Sequence, residues 1–229
     1  MDLKNVDKTR TFIRRSKSSP LNVYACGLYA DLYLVDTHSL VILHISRLES
    51  FIFHSNSIPA ALHNFHCHVP LLENLEIHIS SRAAYTLDIP SLSGDLQSLR
   101  TLSLAGDMIR LPQKKVSSLR DFGLSCAPGA FTVTQILDFL ESAPLLHTID
   151  IKGLISISFD ALPERIVTLG HLHTLIINAD SVYCIFKHLH IPVGASVRMW
   201  ARAGPKFSSI SLPHCPNVRP RIITHVRST

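Results

Sequence analysis

Two stretches of the chain carry one pattern. Pro70-Leu71-Leu72-Glu73-Asn74-Leu75-Glu76-Ile77 returns as Pro144-Leu145-Leu146-His147-Thr148-Ile149-Asp150-Ile151. Both read P-L-L-x-x-[LI]-x-I. The last two apolar positions are two residues apart, so in a strand both side chains point to one face. The leading leucine enters that face from the preceding turn. One such unit leaves its apolar side wet, and only stacking of several units closes a core.

Working outward, the shorter template L-x-x-[LIF]-x-[LIF] recurs six times. It stands at Leu48-Phe51-Phe53, Leu72-Leu75-Ile77, Leu99-Leu102-Leu104, Leu119-Phe122-Leu124, Leu146-Ile149-Ile151 and Leu172-Leu175-Ile177. Fainter copies follow at Gly194-Val197-Met199 and Ile223-Val226. The first positions step by 24, 27, 20, 27 and 26 residues, and leucine-rich repeats have periods of roughly 20–29. The expected fold class is α/β: an irregular leucine-rich-repeat solenoid, with a parallel sheet on the concave side and helices or loops on the convex side. The expected organisation is a basic helix or cap over 1–20, then a solenoid of about eight units over 21–229, the last one incomplete.

Helices are expected between the strands. Thr132 and Gln135 form a capping-box pattern, and Val133, Ile136, Leu137 and Leu140 follow at helical spacing up to Pro144. Thr37 to Ile45, Ile58 to His66 and Ser181 to Leu189 read as three more. Residues 8–16 read as a short basic helix anchored by Phe12 and Ile13, broken by Ser16-Lys17-Ser18-Ser19-Pro20. Leu21-Asn22-Val23-Tyr24 alternates as a first strand. Leu111-Pro112 argues for a bare loop.

Composition narrows the function. The chain has 229 residues, is 46% hydrophobic and carries a formal net charge of +5. Residues 1–20 hold six basic side chains against two acidic ones, and 198–229 hold six basic and no acidic ones. Basic ends around an acidic middle do not form one nucleic-acid groove, so nucleic acid is not the expected partner. No apolar run reaches the ~18 residues that cross a bilayer, so no membrane partner is expected. The opening residues carry no apolar leader segment, and the expected location is cytoplasmic or nuclear. Cys26, Cys67, Cys126, Cys184 and Cys215 are odd in number and widely spaced, and are expected as buried small hydrophobes.

No G-x-S-x-G, P-loop or dinucleotide-binding glycine pattern occurs, so the chain is not expected to be an enzyme and no cofactor is expected. The densest metal-ligand cluster is His63, His66, Cys67 and His68. It lacks four groups that would converge, and no metal centre is expected. His171 and His173 flank Leu172, and His188 and His190 flank Leu189, as polar neighbours of inward leucines.

The outward strand positions remain as the candidate partner-binding face: Ile52, His54, Asn74, Glu76, His78, Ser103, Asp121, Thr148, Asp150, Lys152, Thr174, Ile176 and Asn178, with Ser50, Thr101, Ala105, Gly123 and Ser125 completing the rows. Ile52 and Ile176 are apolar where solvent favours polar residues. His54 and His78 fall on neighbouring strands, so binding there is expected to respond between about pH 7 and about pH 5.5 as they charge.

Several segments also resemble one family. Phe12-Ile13-Arg14-Arg15-Ser16-Lys17-Ser18-Ser19-Pro20-Leu21 is similar to the segment that opens the leucine-rich region of fungal F-box domain-containing proteins. So are His44-Ile45-Ser46-Arg47-Leu48-Glu49-Ser50, Val69 to Ile77, Asp138 to Leu146, and Leu189-His190-Ile191-Pro192. The likeness runs over about residues 9 to 226. It implies a protein-protein interaction module: the substrate-recognition part of an adaptor of a cullin-RING ubiquitin ligase, with a protein target. No F-box is recognised in the sequence, so the resemblance implies a Skp-type linker as partner only where an F-box is supplied outside this chain. Two other readings stay open, a scaffold without a ligase role and a histidine-dependent metal protein.

Overall fold

The computed structural model describes residues 6–27, 43–55, 69–79, 96–106, 110–112, 115–126, 130–153, 165–178 and 185–200. The chain divides into two compact units, Met1–Leu119 and Arg120–Thr229.

The first unit opens with helix α1, Val6–Ser16. It ends where Lys17 turns into the left-handed region at φ 48°, and Ser19 N–H donates to the Ser16 carbonyl at 2.8 Å. Ile13 is buried, but Phe12 is 48% exposed. The second buried position on α1 is Thr9, so the expected Phe12 anchor is corrected: a helix this short presents only one narrow face inward, and Phe12 lies off it.

Four strands follow: β1 Leu21–Gly27, β2 Leu48–Ser55, β3 Asn74–Ile79 and β4 Thr101–Ala105. Consecutive strands pair in parallel and in sequence order. Phe51, Leu75 and Leu102 lie side by side, and so do Phe53, Ile77 and Leu104. All six are buried, as are Leu48, Leu72 and Leu99 that lead them. The inward stripe is the template seen in the sequence.

One turn precedes the strands again and again. Leu72 N–H donates to the Val69 carbonyl at 3.2 Å, Leu99 to Leu96 at 3.1 Å, and Leu119 to Val116 at 3.0 Å. Both ends of each turn are buried and the two residues between are not. Backbone bonds then tie one coil to the next: Glu73 N–H donates to the Glu49 carbonyl at 2.8 Å, and Arg100 to that of Glu73 at 2.8 Å. Ser98 Oγ adds a bond to the Pro70 carbonyl at 2.7 Å. Arg47 grips the turn after α1, donating to the Ser19 carbonyl at 2.7 Å and to Ser16 Oγ at 2.7 Å.

The second unit repeats the arrangement with β5 Asp121–Ser125, β6 Thr148–Lys152, β8 Thr174–Asn178 and β10 Ser196–Trp200. They pair in parallel, β5 with β6, β6 with β8, and β8 with β10. The same turn bonds join Leu146 to Ala143 at 3.4 Å and Leu172 to Leu169 at 3.1 Å. In the last described coil the bond runs from Ala195 to Pro192 at 3.0 Å. The leading inward residue is therefore Ala195, one place beyond the expected Gly194, which is exposed.

Helix α2, Val133–Ser142, carries the expected capping box. Gln135 N–H donates to Thr132 Oγ1 at 3.2 Å and Thr132 N–H to Gln135 Oε1 at 2.9 Å. Its Val133, Ile136, Leu137, Phe139 and Leu140 are buried, and Phe139 lies against Phe122 with ring centroids 4.4 Å apart. A small second ladder joins β7 Val167–Thr168 to β9 Leu189–His190 in parallel. This corrects the end of the helix expected over Ser181 to Leu189: Ile185 and Phe186 are helical, the chain turns at Lys187 and His188, and Leu189 is a strand residue. Short apolar runs do not distinguish helix from strand by period. The helix expected over Thr37 to Ile45 reaches the described residues only at its end, where Ile45–Arg47 is a single 3-10 turn. The helix expected over Ile58 to His66 and the faint template at Ile223-Val226 lie outside the described residues, and Leu111-Pro112 has no regular structure.

Each unit is thus a parallel sheet of solenoid-like stacked coils with few helices. Among the described residues no helix is long and apolar enough to cross a membrane.

Candidate functional site on the exposed sheet faces

Pairing of parallel strands places equivalent residues in rows. In the first unit the rows are Asn22, Ser50, Asn74, Thr101; then Tyr24, Ile52, Glu76, Ser103; then Cys26, His54, His78, Ala105. In the second unit they are Asp121, Thr148, Thr174, Ser196; then Gly123, Asp150, Ile176, Arg198; then Ser125, Lys152, Asn178, Trp200. Every expected face residue whose side chain is described is half-buried or exposed, and none is buried. The structure thus brings together on one face the outward residues of each unit. It also adds neighbours the template could not name: Tyr24 on β1, which lies before the first template, and Arg198 on β10, whose template is faint.

The first unit's face holds a tight polar cluster. His54 and His78 stack with ring centroids 4.5 Å apart and planes 8° from parallel. Glu76 stands two residues before His78, on the same side of β3. Its Oε1 lies 2.8 Å from His54 Nε2 and 3.5 Å from His78 Nε2. Ser103 Oγ lies 3.4 Å from the same nitrogen of His78. Tyr24 meets His54 edge-on at 5.8 Å and is 43% exposed, beside Ile52 in the register. Stacked imidazoles that share one carboxylate oxygen place three lone-pair-bearing groups around one point. These residues had been placed on the face from the sequence, but not as a ligand set.

The second unit's face is built differently. Asp150 Oδ2 accepts from Lys152 Nζ at 2.6 Å, while its Oδ1 is buried without a hydrogen-bond partner. Gly123 and Ile176 flank Asp150 in the register, so neither neighbour offers a polar side chain.

The other histidines part company. His171, His173 and His190 are exposed. His188, beside the buried Leu189, is itself buried. Its Nδ1 lies 3.1 Å from the Arg165 carbonyl, and its Nε2 has no hydrogen-bond partner. The Arg165 guanidinium reaches back to α2, pairing with Asp138 and with Glu141 at 3.1 Å. Cys126 is half-buried rather than buried and is not in a disulfide. His63, His66, Cys67 and His68, and with them Cys184 and Cys215, lie outside the described residues.

Fold and face together define a class: a parallel-sheet repeat protein with solenoid-like coils. Compared with family models, curated proteins and solved structures, the chain matches none.

Proposed function

We propose that this chain is a protein-binding module that holds its partner on the exposed faces of its parallel sheets. The observation that carries the reading is the placement of Ile52 and Ile176. Each sits in the middle row of an exposed face, half-buried, Ile52 beside Glu76 and Ile176 between Asp150 and Arg198. Tyr24 extends the apolar area beside Ile52. An apolar side chain held on a wet sheet gains most when a partner covers it.

The segments over residues 9 to 226 that resemble fungal F-box proteins support a finer reading, the substrate-receiving part of an F-box-type ubiquitin-ligase adaptor. On that reading the sheet face takes the target, and contact with a Skp-type linker belongs to an F-box outside these residues.

The test replaces Ile52, Glu76, Asp150 and Ile176 together by small polar residues. Proteins cross-linked to the wild-type chain in cells should be lost with this variant while its thermal melt stays within a few degrees. Capture that survives the change, and disappears when the basic residues of 1–20 and 198–229 are neutralised, would move the interaction elsewhere. A purified mixture of this chain with a Skp-type linker should elute as two separate species on gel filtration. A stable stoichiometric complex would overturn the assignment of that contact to an F-box.

A further inference from the structure

We propose that His54, Glu76 and His78 form a binding site for a divalent transition metal of the zinc class. Each residue offers one ligand atom, and the three atoms lie within 4.8 Å of one another. Parallel pairing of β2 with β3 sets His54 directly opposite His78. Glu76 shares their face because side chains two apart on a strand point the same way. The sheet therefore sets the three residues side by side on one face, and their rotamers bring the ligand atoms together.

The arrangement without a metal is uneven. Two imidazole nitrogens address the same Glu76 oxygen, one at 2.8 Å and the other at 3.5 Å. His78 Nε2 is 3.4 Å from Ser103 Oγ as well, so neither of these contacts is short. One carboxylate oxygen accepts well from one of the two rings and poorly from the other. A dication at the centre uses all three lone pairs at once. Zinc sits about 2.0–2.2 Å from nitrogen and carboxylate ligands, which puts tetrahedral ligand atoms about 3.3 Å apart. Rotation of three half-exposed side chains covers that adjustment without moving the strands.

The donor set chooses the metal class. Two imidazoles and one carboxylate suit zinc, copper, nickel or ferrous iron, whereas calcium and magnesium take oxygen ligands. Zinc has no geometric preference from its d electrons, so it accepts the spacing that two neighbouring strands impose. Three protein ligands leave the coordination sphere open on the solvent side, as in sites that keep a water. Side-chain exposures of 31%, 33% and 39% for His54, Glu76 and His78 give the ion a path in.

The site is independent of the docking reading, because its test needs no partner. The full chain, stripped with chelator, is titrated with zinc by calorimetry and with cobalt by visible absorption. One equivalent is expected, with a cobalt band in the visible range. His54→Gln, Glu76→Gln and His78→Gln should each weaken binding by more than the ~10–100-fold that outer-shell partners are worth. A variant with His147, His171 and His173 changed to Gln should bind as the wild type does. A second measurement uses the unaltered protein: zinc should shield His54 and His78 from acylation by diethylpyrocarbonate, read by mass spectrometry, and leave His171, His173 and His190 reactive. No saturable binding of either ion, or binding that survives the triple ligand variant, or shielding only at other histidines, would overturn the proposal.

Discussion

The two copies of P-L-L-x-x-[LI]-x-I fall in different units and can be laid side by side. Their inward halves are alike: Leu72, Leu75 and Ile77 in one, Leu146, Ile149 and Ile151 in the other, all buried and all behind the same turn. Their outward halves differ. β3 shows Glu76 and His78, which join His54 in a shared cluster. β6 shows Asp150 and Lys152, which pair with each other along one strand beside Gly123 and Ile176. The inward residues carry the fold and repeat, while the outward residues are free to diverge.

The comparison is tested hardest in the core. Leu75→Ala and Ile149→Ala each delete most of a buried side chain, and each is expected to cost about 2–5 kcal/mol, read by urea denaturation. Similar losses in both units support equivalence of the copies. A loss below about 1 kcal/mol in either would show that the copy there is not part of a packed core. Next comes Gly153, which follows β6 at φ 134°. A Cβ there would meet the Cys126 carbonyl oxygen at 2.1 Å, so Gly153→Ala is expected to cost at least about 1–3 kcal/mol, from the positive φ and from the backbone shift that relieves the clash. Gly106 stands at the matching place after β4 with φ 145°, and the same substitution there asks whether the exit from the strand is shared. Thr132→Ala removes the capping hydroxyl of α2 and should cost about 1 kcal/mol, measurable as a lower melting temperature. Smallest is the outward pair: Glu76→Gln and Asp150→Asn are each expected within about 0.5 kcal/mol of wild type. A large loss at either would mean that the exposed face also holds the fold together.

Most of the inward pattern could be read from sequence because alternation in a strand leaves a period of two, and six copies make that period visible. The other half of the turn went unread. Val69, Leu96, Val116, Ala143 and Leu169 stand three residues before the leading leucines and are all buried. The fuller pattern, an apolar residue, two free positions, then leucine, was available and would have fixed the start of each coil. The adjacency of His54 and His78 followed from register alone. The meeting of both with one Glu76 oxygen did not, since it depends on rotamers. β1 was legible from the alternation of Leu21-Asn22-Val23-Tyr24, but it lacks the leading template, so Tyr24 was not placed on the face with the template's outward residues. β9 escaped because two residues are too few to show a period. The burial of His188 was not legible, because burial of a histidine is decided by its neighbours in space, here the Arg165 carbonyl.

The repeated turn has a consequence for how such a chain can change over time. The leading leucines of the first unit's later coils are 24 and 27 residues apart, yet β2, β3 and β4 pair residue for residue with no slip. The turn restores the phase of the chain before β3 and β4, so differences in length accumulated upstream are erased there. Closing a longer loop costs only about 0.6 kcal/mol for each doubling of its length. Insertions and deletions between coils are therefore nearly silent for the sheet, and lineages of this protein can vary in length while keeping the same rows on the exposed face.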